Sequence, residues 1–134
     1  MGPIGMTVDI DGVTTNFVIQ AAEVWPFNRT ADTTELVIEA ANSGGSIVLH
    51  AMGTKPGTFN CTGDVYVTYT VSRGTWSTFR TGASCTITIT NYGAVGQPLA
   101  GTFSGKLTYL FGVTGTKTFT NGTFTATRDP DNLN

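Results

Sequence analysis

Alternation with a period of two, carried by β-branched and aromatic residues, is what most limits the folds open to this chain. From Val65 to Val71, the residues Val65, Val67, Tyr69 and Val71 fall on one face, and Tyr66, Thr68 and Thr70 on the other. Further on, Cys85, Ile87 and Ile89 alternate with Thr86, Thr88 and Thr90. Phe103, Leu107, Tyr109 and Phe111 repeat the pattern, with Gly105 in register between them. This is the period of a half-buried strand, and no long window carries a helical apolar stripe. Turn signals cut the pattern into pieces. Asp11-Gly12 has the chemistry of a tight hairpin, and Asn42–Gly45, Gly53–Gly57, Arg73-Gly74, Thr81-Gly82, Gly93–Gly96 and Gly112–Gly115 follow it. The expected fold is all-β: a single antiparallel β-sandwich or flattened β-barrel of about ten short strands.

Composition explains how such a chain stays soluble with few charges. Only 12% of the 134 residues are charged, while 26 are threonine. Threonine is β-branched and polar, so it suits the wet face of a strand. The net charge of −2 excludes the dense basic surface of nonspecific nucleic-acid binding and a polybasic membrane-surface role. The length matches one domain, read as residues 6–128. Residues 1–5 read like an expression scar, and the polar tail 129–134 is expected to fray. No apolar run approaches the roughly 20 residues of a membrane-spanning helix, and no signal-peptide pattern opens the chain.

Cys61 follows one predicted strand and Cys85 opens another. A disulfide between them would close a loop of about 25 residues and contribute roughly 3–4 kcal/mol, given an oxidising compartment. Two buried free thiols are the alternative. Two cysteines and one histidine do not make a four-ligand zinc site. Asp9-x-Asp11-Gly12 begins like a calcium loop, but Gln20 stands where the closing Glu of that loop belongs. No metal or cofactor is therefore expected.

Catalytic patterns are sparse. His50, the single histidine, lies opposite Ile47 and Leu49 on its strand, and no Gly-x-Ser-x-Gly elbow accompanies it. Glu35 and Glu39 share a strand face about 13 Å apart, outside either glycosidase spacing. Asn28, Asn60 and Asn121 open glycosylation-like Asn-x-Thr triplets, which a threonine-rich chain produces by chance. The aromatic residues offer more. Trp76 lies between Arg73 and Arg80, and Trp25 and Tyr92 add further rings. If exposed, such rings would stack on sugars or on a protein partner. If buried, Trp76 and Trp25 would plug the ends of the fold. The word Gly-Thr-Phe occurs at Gly57, Gly101 and Gly122 and reads as a strand start, with Gly permitting the turn and Phe anchoring the core.

These words stand in a larger order. Val8–Gly12 is followed by the Leu36–Ile38 and Ile47–Leu49 pair, then Pro56–Phe59, Ser84–Tyr92, Leu99–Gly105 and Thr118–Ala126. Over about residues 6–128 this order resembles a family of uncharacterised secreted lipoproteins common in Bacteroidota. The resemblance implies a β-rich domain exported behind a lipidated N-terminal Cys. It transfers no catalytic residues. No lipobox is found here, so any lipid anchor lies outside this sequence.

The expected function is that of a non-catalytic exported domain, in the periplasm or on the cell surface, that binds a glycan or an envelope protein or serves structurally. Two alternatives differ in class. One is an envelope hydrolase pairing His50 with a carboxylate. The other is a small-ligand carrier with an internal cavity lined by Phe17, Tyr69, Leu107 and Tyr109.

Overall fold

The alternating segments are strands throughout the described residues. The computed structural model describes residues 5–26, 34–52, 56–61, 65–72, 74–78, 83–111 and 115–129. Ten strands run through them: β1 (Gly5–Ile10), β2 (Val13–Pro26), β3 (Thr34–Asn42), β4 (Gly45–Met52), β5 (Gly57–Asn60), β6 (Tyr66–Val71), β7 (Gly74–Ser77), β8 (Ser84–Tyr92), β9 (Pro98–Phe111) and β10 (Thr116–Thr127). They are not uniformly short. β2 and β9 each run 14 residues, because bulges let a long strand bend around the core instead of ending. No helix occurs among the described residues, so none there is long and apolar enough to cross a membrane.

Pairing is antiparallel at every step, and the sheet closes on itself. The ring runs β1-β2-β3-β4-β6-β7-β9-β10 and returns to β1. Of the two architectures left open by the sequence, this is the barrel. β9 makes the closure possible. One of its edges pairs with β10; the other pairs first with β8, through Leu99 to Lys106, and then with β7, through Thr108 to Phe111. β8 and β5 therefore form a two-strand wing beside the ring.

The tight turns follow their sequence signals. Ile10 pairs with Val13 across Asp11-Gly12, whose φ angles of 51° and 85° are those of a two-residue hairpin loop. Asn42 pairs with Gly45, and its side-chain oxygen accepts from the N–H groups of Gly44 and Gly45 at 2.7 and 2.9 Å.

An eight-strand barrel has an interior just wide enough for side chains to fill it. Met6, Val8, Phe17, Leu36, Ile38, Ile47, Leu49, Val67, Trp76, Leu107 and Phe119 are all buried. β9 and β10 meet by a distinct rule. Phe119 stands opposite Gly105, Phe103 opposite Gly122 and Phe124 opposite Gly101. The Phe124 and Phe103 rings cover Gly101 and Gly122 across the ladder, an arrangement that lets strands coil tightly. A Cβ on Gly101 would collide with the Thr88 carbonyl and the Phe124 ring, and one on Gly122 with Phe103. This revises the strand-start reading of Gly-Thr-Phe: only Gly57 opens a strand, while Gly101 and Gly122 lie inside β9 and β10. Small size facing a ring, more than a turn, is what those two positions require.

Gly5 and Asp129, the first and last described residues, are both held by pairing. Gly5 opens β1 opposite Thr125. Asp129, where fraying was expected to begin, exchanges two hydrogen bonds with Ala22. Its carboxylate accepts from Ala22 N at 2.8 Å, and its own N–H donates to Ala22 O at 2.9 Å. They meet just past the bulge between Ile19 and Ala21 on β2. Met1–Ile4 and Pro130–Asn134 lie outside the described residues.

Candidate functional site

The outward positions of the wing and its neighbours are short and polar, and the register lines them up. Thr58 pairs with Thr88, Thr88 with Thr102, Thr102 with Thr123, Thr123 with Thr7, and Thr7 with Asn16. Six strands thus contribute one hydroxyl or amide each to a single row, spaced about 4.8 Å from strand to strand. A second row runs beside it, with Asn60 opposite Thr86 and Thr86 opposite Ser104.

On β10 the second row meets a bulge. Phe119 and Gly122 oppose Gly105 and Phe103, which puts one extra residue on β10, and β1 sees the same shift between Thr7 and Asp9. Asn121 absorbs it with φ 54°, a conformation Asn tolerates better than most residues.

Two adjoining depressions follow these rows. The larger, about 480 Å³, lies over Thr86, Thr88, Thr102, Ser104, Asn121 and Thr123, with Phe103 and Gly122 completing its lining. The smaller, about 260 Å³, lies beside the disulfide and is lined by Asn60, Cys61, Ser84, Cys85, Thr86, Ser104 and Gly105. Thr86 and Ser104 belong to both, so the two form one shallow groove across β5, β8, β9 and β10. Among the described residues, none that lines it is charged.

Cys61 and Cys85 are disulfide-bonded with their Cα atoms 5.0 Å apart. The Cys61 N–H also donates to Cys85 O at 2.9 Å. The bridge thus clamps β5 to β8 and fixes one end of the groove. At the other end, Asp9 Oδ2 accepts from Asn121 Nδ2 at 3.1 Å, and Asp9 Oδ1 accepts from the Thr14 hydroxyl at 2.7 Å. These two bonds, Asn121 first, hold the Asp9 carboxyl below its ordinary value. In the middle, Thr102 and Thr123 are exposed, and no side-chain hydrogen bond joins either to another described residue.

Of the aromatic residues singled out in the sequence, Trp76 and Tyr92 stand far apart. Trp76 is 6% exposed and points into the barrel. Tyr69 stacks on it at 5.8 Å, and the Lys117 ammonium lies 4.9 Å from its ring centroid. Lys117 is held in turn by Asp11 at 3.5 Å. This is the plug arrangement, and it leaves the indole no open face for stacking. The indole N–H is buried without a hydrogen-bond partner among the described residues. Tyr92 is half-buried, with the Arg128 guanidinium 5.4 Å above its ring. Trp76 pairs with Tyr109 and Tyr92 with Leu99 on β9, a separation of roughly 33 Å along that strand. Trp25 lies on β2 opposite Glu35. The side chain of Trp25, and Arg73 and Arg80 entirely, lie outside the described residues.

His50 packs on the outer side of β4, 7% exposed and stacked face to face on Tyr66 at 4.5 Å. The residues suggested as a cavity lining are packed differently. The Tyr69 ring contacts those of Phe17, Trp76 and Phe119, Leu107 is fully buried, and Tyr109 is 38% exposed at the barrel mouth. Burial, and then Asp11, push the Tyr69 hydroxyl above its ordinary value. Asp9 and Asp11, read as the start of a calcium loop, are engaged by hydrogen bonds and by Lys117, and no acidic, histidine or cysteine cluster suited to a metal occurs among the described residues.

No family model matches the chain, nor does any curated protein or solved structure.

Proposed function

We propose that this chain is a non-catalytic, exported cell-envelope domain that binds glycan in the groove across β5, β8, β9 and β10. One observation carries the reading: a continuous depression lined by hydroxyl and amide groups, with no charge among its described lining residues and with Thr102 and Thr123 exposed at its centre. A hydroxyl both donates and accepts hydrogen bonds, which suits a polyhydroxylated ligand. Glycine–phenylalanine pairs pack beneath the groove. The disulfide suits an oxidising compartment, and the likeness to secreted lipoproteins suggests a lipid tether in the natural protein.

A glycan array probed with the purified domain tests this reading. Binding that falls in both Thr102→Val and Thr123→Val, with circular dichroism unchanged, supports it. Binding indifferent to both variants, or none across neutral and acidic glycans, overturns it and moves weight to a protein partner.

A further inference from the structure

The bulge on β10 brings to the groove one side chain whose orientation is dictated by a neighbour. Asn121 is exposed and lines the larger depression. Its Nδ2 donates to Asp9 Oδ2. An ionised carboxylate accepts and cannot donate, so the Asn121 amide has one orientation, with Oδ1 left as an acceptor at the groove. Asp9 is itself fixed by the Thr14 hydroxyl. This end of the groove therefore combines a fixed amide acceptor with a negative charge just behind it. Among the described residues lining the larger depression there is no Lys or Arg to balance that charge; Lys106, opposite Ser84 and Thr118, flanks the smaller one.

We propose that Asn121, positioned by Asp9, determines the groove's specificity: it accepts hydrogen bonds from the hydroxyls of neutral glycans and turns away acidic glycans such as uronate chains. A neutral sugar supplies donors to Asn121 Oδ1. A uronate carboxylate brings only acceptors to an acceptor and places like charge near Asp9, the repulsive element that specificity requires. The inference rests on the glycan reading above and adds the ligand's class to it.

Native affinity electrophoresis separates the two claims. Wild type, Asn121→Gly, Asp9→Asn and the charge control Glu39→Gln are run in gels holding a neutral mannan, a neutral β-glucan or polygalacturonate. Retardation is measured against a polysaccharide-free gel. Glycine keeps the positive φ of residue 121 while removing the amide, and a thermal melt checks each fold. Glu39 is exposed on β3, away from the groove.

The wild type is expected to be retarded by a neutral polymer and not by polygalacturonate. Asn121→Gly is expected to lose neutral retention by roughly 3–10-fold, the worth of one hydrogen bond. In Asp9→Asn the new amide can donate to Asn121 Oδ1 and release its orientation. The neutral-to-acidic ratio should then fall by a similar factor, while Glu39→Gln leaves it unchanged. A purely structural role for Asp9 would lower both retentions together and leave the ratio intact. A wild type retained by neutral polymer, with that ratio unmoved in Asn121→Gly and Asp9→Asn, overturns the assignment but not the glycan reading. A wild type retained only by polygalacturonate also overturns the assignment alone. A wild type retained by none of the polymers overturns both.

Discussion

The outer sides of β6–β7 and of β9–β10 are built from the same residues by the same alternation, yet their hydroxyls are used differently. On β6–β7 the hydroxyls pair with each other: Thr68 with Ser77 at 3.1 Å and Thr70 with Thr75 at 3.3 Å. Ser77 is fully buried and Thr75 is 5% exposed, so β7 is covered on both faces. On β9 and β10, Thr102 and Thr123 face solvent without such partners among the described residues. A hydroxyl already satisfied and buried stabilises; a hydroxyl left at the surface can recognise. The first ladder runs along the covered outer face of β7, and the second lies in the groove.

The comparison breaks most severely if the support beneath the groove is removed. Gly101→Val forces a side chain against the Thr88 carbonyl and the Phe124 ring. The expected loss exceeds about 3 kcal/mol, read as a large drop in the urea midpoint or as failure to fold. Next comes the clamp at the groove's end. Replacing Cys61 and Cys85 by Ser is expected to cost about 3 kcal/mol through the freed unfolded chain, and to weaken retention by the smaller depression. An unchanged denaturation midpoint would show that β5 is held by its ladder alone.

Changes to the hydroxyls themselves sharpen the contrast. Ser77→Ala removes a buried group that bonds Val67 O at 3.3 Å and the Thr68 hydroxyl. It should destabilise by about 1–2 kcal/mol, seen in denaturant unfolding, and leave glycan retention alone. Thr102→Val is expected to do the reverse: stability within about 0.5 kcal/mol of wild type, with retention reduced severalfold. If both variants changed stability equally, the two faces would not differ in kind.

Half of this contrast could be read in the sequence. Alternation shows which side of Cys85–Thr90 is apolar, and Asp11-Gly12 marks a hairpin that the structure forms. It does not show whether a polar side will later be covered, because that depends on which non-adjacent strands meet. β5 leaves the chain order to pair with β8, and only that register places Thr58 beside Thr88 and Thr102. The threonine rows were therefore invisible until the strands were ordered. For Trp76 the sequence left two readings, a surface ring between arginines or a plug, and the inward phase of β7 decides between them by sending the ring into the barrel beneath Lys117. Asn121-Gly122 carried a usable signal, since a glycine inside a strand pattern points to a bulge. Reading it as a strand start hid the residue that faces the groove.

The smallest expected effect tests the groove's end by pH. Asp9 is held below its ordinary value of 3.8 by the bonds from Asn121 and Thr14. A carboxyl with a lowered folded value binds protons more weakly when folded than when unfolded, so its contribution is fully present above the unfolded value. It fades as pH falls below 3.8 and is gone once pH passes the folded value. Asp9→Asn removes this linkage. Melting temperatures of wild type and Asp9→Asn should therefore differ at pH 6 and converge as the pH falls through the lowered folded value. Glu39→Gln, on the far strand, should track the wild type throughout. Convergence without any gap at pH 6 would mean that the Asp9–Asn121 bond is too weak to orient the amide, and the β10 bulge would then be held by backbone geometry alone.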